Sequence, residues 1–201
     1  RDVAVSPLRT HDLSQVAALH PLLAEEDIAL GDRAFCSYVH LALCLQAGRH
    51  GVFRAHQKLI IDFTPHRPHA AGKKNPQRRP YSRWIRSLGK NDQLVEWFKP
   101  AQKPDWISPD EYDRLPASIV VRELRYRIRT PGCRTGEVTL VTTLRDPQAY
   151  PASELARLYG IRWDIETELK HLKTTMGLDV ERGALADFGF DPGGGVMLAE
   201  D

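Results

Sequence analysis

The chain has no CxxC pair. Its three cysteines, Cys36, Cys44 and Cys133, are odd in number and widely spaced. That excludes a disulfide framework and a cysteine zinc site, and reads as reduced thiols of a cytoplasmic protein. His66 and His69 have a ligand-like spacing, but no second pair answers them, which leaves a solvated loop. No apolar run is long enough to cross a membrane. The first residues carry no secretory pattern, and no internal repeat is present. Charge of one sign is also scarce: 28 Lys and Arg face 26 Asp and Glu, for a net charge of +2. There is no Met at position 1, and Arg1 stands at the start of a strand-like pattern, so the chain reads as a piece of something longer.

What is present is an ordinary soluble mixture, 42% hydrophobic and 27% charged, enough for one good-sized domain or a domain with an insertion. Asp2 to Ser6 predicts a short strand. Thr10 or Asp12 caps an expected helix to about Leu23. Asp27 to Gly31 (DIALG) predicts a buried parallel strand, with Asp32 at its carboxyl end, the edge where open α/β sheets bind ligands. Ser37 opens a second expected helix, Gly48 stops it, and Gly51 to Ala55 (GVFRA) predicts a third strand. The alternation argues for a parallel α/β core.

From His56 the pattern changes. Leu59 to Phe63 suits a strand. His66 to Lys90 is basic, with Arg78, Arg79 and six further Lys or Arg, interleaved with Tyr81 and Trp84. Pro65, Pro68, Pro76 and Pro80 argue against a regular element before Tyr81. The stretch is either a solvated loop or a phosphate-contacting surface. Gln93 to Phe98 predicts a strand. Ser108 and Glu111 form a capping pattern for a short helix. Ser118 to Ile128 and Glu137 to Leu144 predict an antiparallel pair around Gly132 and Gly136. After Val180 no periodicity remains, and Gly193, Gly194 and Gly195 stand in a row.

The most informative stretch is Leu155 to Met176. Leu155, Leu158, Ile161, Ile165, Leu169, Leu172 and Met176 predict one amphipathic helix. On it Tyr159, Arg162, Glu166 and Lys173 fall at about 0°, 300°, 340° and 320°, an arc of about 60° beside the apolar stripe. Each alone is an ordinary surface residue. Together, a carboxylate flanked by a guanidinium and an ammonium suits a metal ion next to a phosphate.

Tyr159-x2-Arg162-x3-Glu166-x6-Lys173 resembles the Tyr-Arg-Glu-Lys motif of bacterial insertion-sequence transposases, family four, of the DDE class. GDRAFCSY, Gly31 to Tyr38, is similar to the block around that family's second catalytic Asp. The resemblance covers about Val3 to Val180. It implies an α/β fold, a ribonuclease H-like core interrupted by an antiparallel β-rich insertion. Residues 1–56 would be the amino-terminal part of the core without its first strands. Residues 57–148 would be the insertion with its basic loop, 149–180 the core helix carrying the catalytic Glu, and 181–201 an irregular tail. It further implies metal-dependent DNA cleavage and strand transfer with Mg²⁺ or Mn²⁺, two ions in the complete enzyme. Asp32 and Glu166 would be catalytic metal ligands. Tyr159, Arg162, Lys173, Arg78, Arg79 and Trp84 would contact DNA. Expected partners are the element ends and target DNA and a homodimeric second copy, with no membrane, in the bacterial cytoplasm at the nucleoid. The family's first catalytic Asp has no match among these residues; Asp2 does not fit it. The resemblance therefore implies a truncated, inactive fragment.

Two other readings remain open at this stage. A non-catalytic DNA-binding remnant needs the basic surface but not the carboxylates. An α/β domain whose charged helix edge makes protein contacts needs neither.

Overall fold

The computed structural model describes residues 3–6, 24–25, 27–69, 76–128, 136–175 and 195–198. In the last helix, side chains are described through Arg162, and again at His171 and Thr175. The strands are β1 (Val3–Ser6), β2 (Ile28–Gly31), β3 (His50–Arg54), β4 (Tyr81–Gly89), β5 (Asp92–Phe98), β6 (Ser118–Ile128), β7 (Gly136–Thr142) and β8 (Gly195–Leu198). The helices are α1 (Tyr38–Gln46), α2 (Pro109–Arg114) and α3 (Ala152–Thr175). The chain divides into two compact units, residues 1–22 with 157–201, and residues 23–156.

In the larger unit one six-stranded sheet runs in the order β2-β3-β7-β6-β5-β4. β2 and β3 are parallel, as the two short apolar runs predict, and every other pairing is antiparallel. The stretch 57–148, expected as an insertion into the core, thus supplies four strands to the same sheet as β2 and β3. The join is β3 against β7, with Val52 opposite Thr142, Phe53 opposite Val141 and Arg54 opposite Leu140.

The local signals act as their chemistry requires. Ser37 accepts from the His40 N–H at the start of α1. At its end Gly48 takes φ +68°, the Gly48 N–H donates to Leu45 O, and the Arg49 N–H donates to Cys44 O at 2.8 Å. That is a Schellman motif, and it leaves the chain free to turn back into β3. Ser108 and Glu111 close a reciprocal capping box on α2. Lys99 Nζ donates to the carbonyls of Tyr112 and Leu115 at the other end of α2.

Side chains on one face of the sheet, Phe53, Val95, Trp97, Ile119, Val121 and Val141, form one core with α1 and residues 107–115. Phe53 lies flat because Gly31 and Gly51 have no side chains. A Cβ at Gly31 would stand 2.5 Å from the Phe53 ring, and one at Gly51 2.7 Å from it. On the same face Glu123 is buried and accepts from Trp97 Nε1 at 3.0 Å and Gln93 Nε2 at 2.7 Å. Burial raises its carboxyl above the ordinary range, more than those two bonds lower it.

Four expectations need correction. Leu59 to Phe63 is not a strand. Its carbonyls are taken by side chains: Asp62 O accepts from Arg67 Nε and Gln93 Nε2, and Ile61 O from Arg125. The second part of the basic stretch is not a loop but β4, an edge strand paired to β5. Its arginines and two register shifts keep that edge from recruiting further strands. Inside the stretch expected to be irregular, β8 pairs antiparallel with β1 in the smaller unit. In α3, Leu155 and Tyr159 are buried while Ile161 is 41% exposed. The buried line of these turns therefore runs through Tyr159, and the apolar stripe does not continue at Ile161. The helix expected over residues 10–23 lies outside the described residues.

Gly31→Ala should destabilise the fold by about 1–3 kcal/mol, because a methyl group there forces the Phe53 ring off its rotamer. Adding Phe53→Leu should restore part of that loss. Urea unfolding of the single and double variants measures both; additive losses would show that the two side chains do not compete for space.

Candidate functional site

Gly31 is opposite Phe53 in the parallel pair. Asp32, just past β2, and Arg54, the last residue of β3, therefore stand at the same end of the pair. Asp32 sits in a tight turn, its carbonyl accepting from the Phe35 N–H at 2.9 Å, and is half-buried, with Oδ1 out of contact with solvent. Arg33, directly after it, donates to Gln57 Oε1 at 3.4 Å.

Behind this turn lies Cys36, fully buried. Burial pushes its thiol up to about 12; Glu123 raises it further, and the His56 backbone and Arg79 oppose the rise. Cys44 is likewise pushed up to about 12, chiefly by burial. Neither offers a thiolate for nucleophilic chemistry. His56 is held below its ordinary value, first by burial and then by the charges of Arg79, Lys58 and Arg33. The Lys58 N–H donates to its Nδ1 at 3.1 Å, so the neutral ring carries its proton on Nε2.

The basic segment divides by role. Arg67 is buried and tied to Asp62 O, Ser82 O and Ser82 Oγ, which makes it a brace. Arg83 pairs with Glu96. Arg78 is exposed, 4.0 Å from Asp105. Arg79 is half-buried, and burial lowers its pKa. Trp84 is half-buried in β4 with His66 against its ring, centroids 4.3 Å apart. Arg79 Nε and Trp84 Nε1 are shielded from solvent and donate to no described group.

In the smaller unit, Tyr159 is buried on α3 and the Arg162 guanidinium lies 5.3 Å from its ring centroid, a cation–π contact one helical turn long. Positions 166 and 173 follow on the same line of α3 by helical register. The side chains of Glu166 and Lys173 lie outside the described residues.

Asp32 is a hard oxygen donor of the kind that suits Mg²⁺ or Mn²⁺. Among the described residues no cluster of three or more His, Cys, Asp or Glu side chains converges on a metal position. No described helix is long and apolar enough to cross a membrane.

Comparison with known families decides the class. The model of the transposase DDE domain matches residues 1–183. The chain belongs to that family. None of the curated proteins matches it. A transposase acts on DNA, and the mixed α/β sheet with few helices agrees with a transposase domain.

Beyond the residues expected from its sequence, the chain carries Arg33, next to Asp32 in sequence, with Arg54, His56 and Arg125 around a cavity of about 330 Å³. Sequence reasoning passed over them. The available signal was that parallel strands end at the same edge, which puts Arg54 beside Asp32.

Cys36 and Cys44 should resist iodoacetamide at pH 8 in the folded protein, reacting about a thousandfold more slowly than after unfolding. Peptide mass spectrometry reads this; rapid native modification of Cys36 would show that the turn after β2 is open.

Proposed function

We propose that this domain belongs to family four of the bacterial insertion-sequence transposases, with the Tyr-Arg-Glu-Lys motif on a ribonuclease H-like core. Its reaction is then DNA strand cleavage and strand transfer. The carrying observation is Asp32 at the carboxyl end of the parallel β2–β3 pair, in a chain that matches the transposase DDE domain over residues 1–183.

In this reading Asp32 and Glu166 hold divalent metal, Mg²⁺ or Mn²⁺. Bound metal would supply activation of the attacking water or 3′-hydroxyl and charge relief at the leaving oxygen. The chain's own groups position the strand. Arg162 and Lys173 grip phosphates near the cut, and the Tyr159 ring beneath Arg162 restrains the guanidinium, which lowers the entropy lost on binding. Arg78, Arg79 and Trp84 extend the contact along the backbone. A second copy of the chain would pair two element ends. No residue among the 201 matches the family's first acid, and two carboxylates hold metal less firmly than three, so this stretch by itself is proposed not to cut.

The test is a nicking assay on DNA bearing the element's ends. Full-length transposase with Mg²⁺ or Mn²⁺ should nick, and Asp32→Asn should reduce the rate by at least about a hundredfold without loss of DNA binding. Residues 1–201 alone should be silent. Undiminished nicking by Asp32→Asn would remove Asp32 from the site. DNA binding without nicking under any metal would favour a non-catalytic binding role.

A further inference from the structure

The cavity that reaches Arg33, the residue after Asp32, combines three arginines with the apolar side of Ala55, Leu59, Ile60 and Ile61. β3 contributes Arg54, β6 contributes Arg125, and the turns after β2 and β3 contribute Arg33 and His56. Arg125 is fixed in place: Nε donates to Thr139 Oγ1 at 2.9 Å, an NH2 proton goes to Ile61 O at 3.3 Å, and the guanidinium covers the Phe63 ring at 5.0 Å. Those acceptors are neutral, so its charge is held without being cancelled by a touching carboxylate. Arg54 is half-buried, and its side chain makes no hydrogen bond or ion pair among the described residues. Arg33 has its long contact to Gln57. The acid in the lining, Glu137, is already paired with Arg127 at 3.0 Å.

His56 completes the set as a neutral donor through Nε2, since Nδ1 already accepts from Lys58. Its pKa is depressed first by burial and then by the charges of Arg79, Lys58 and Arg33, the last of which lines the same cavity. The lining therefore brings three arginines and a neutral histidine to one cavity, and its carboxylate is engaged elsewhere. Planar N–H forks of this kind match phosphate oxygens in pairs. A volume of about 330 Å³ admits a phosphate with its ester arms.

We propose that the cleft of Arg33, Arg54, His56 and Arg125 holds a backbone phosphate of the DNA strand that passes Asp32. This rests on the DNA reading above and adds a place and a set of residues to it. Arg33 follows Asp32 in sequence, and Arg54 ends β3 at the same end of the parallel pair. A phosphate held here sits beside the candidate metal ligand and sets the register of the strand.

The experiment uses the full-length protein and fluorescence anisotropy on a short labelled DNA at several salt concentrations. Arg54→Ala and Arg33→Ala should each weaken binding about tenfold and flatten the salt slope by about one. Arg54→Lys should fall between Arg54→Ala and the wild type. Arg145→Ala, beyond the opposite end of β7, should change neither reading. Circular dichroism checks folding; if Arg54→Ala unfolds, Arg33→Ala carries the test. Wild-type binding with both alanine variants unchanged overturns the cleft and leaves the DNA reading standing. No DNA binding by the wild type removes the DNA reading, and this proposal with it. Inorganic phosphate is the second probe. Saturable phosphate binding that Arg54→Ala abolishes while DNA affinity stays unchanged would assign the cleft to a free anion and overturn the DNA source.

Discussion

The short antiparallel seam between β3 and β7 is the constraint on which the larger unit depends. It spans three residue pairs, extended by Ala55 N–H to Thr139 O and Thr143 N–H to Gly51 O. Thr143 Oγ1 reinforces it by accepting from the Gly51 N–H at 3.0 Å and contacting His50 Nδ1 at 3.1 Å. Without it, β2 and β3 would be an isolated parallel pair, too small to bury their own faces. With it, the parallel pair shares a core with Trp97, Val121 and Val141.

The seam also explains where the charge collects. β3 runs antiparallel to β7, so Arg54 at its carboxyl end meets the amino-terminal half of β7, where Glu137 and Thr139 stand. β6 brings Arg125 opposite Thr139. Residues distant in sequence therefore converge at the edge that Asp32 occupies. Away from that edge Arg122 is neutralised. Arg122, buried, forks onto both oxygens of Asp92 and donates to Tyr150 O at 2.6 Å. It braces the sheet and offers nothing to a ligand.

Much of this was legible in the sequence because it rests on local chemistry. DIALG and GVFRA read as strands from their apolar runs. Ser37, Gly48 and Ser108 acted as caps because capping needs only neighbouring backbone. The β6–β7 pair followed from alternation around a glycine turn. What was not legible depended on partners far along the chain. Nothing near Phe53 announces that it pairs with Val141. β4 was hidden by charge and flanking prolines, and its pairing with β5 decides its conformation. Leu59 to Phe63 has strand composition, but side chains of Arg67, Gln93 and Arg125 claim its carbonyls. In α3, periodicity counted Ile161 as buried, while the structure buries Tyr159. The Tyr159–Arg162 line is thus nearer the packed side of the helix than spacing alone suggested.

The central proposal is that Asp32 and Glu166, 134 positions apart in sequence, both serve as ligands of divalent metal. Iron-mediated backbone cleavage tests it most directly. Fe²⁺ in place of Mg²⁺, with ascorbate and peroxide, generates short-lived radicals that cut the chain beside the bound ion. In the protein, cleavage should appear next to both position 32 and position 166, be suppressed by excess Mg²⁺, and disappear at both positions in Asp32→Asn. Cuts at one position only, or at both but undisturbed by the Asp32→Asn substitution, would contradict a shared site.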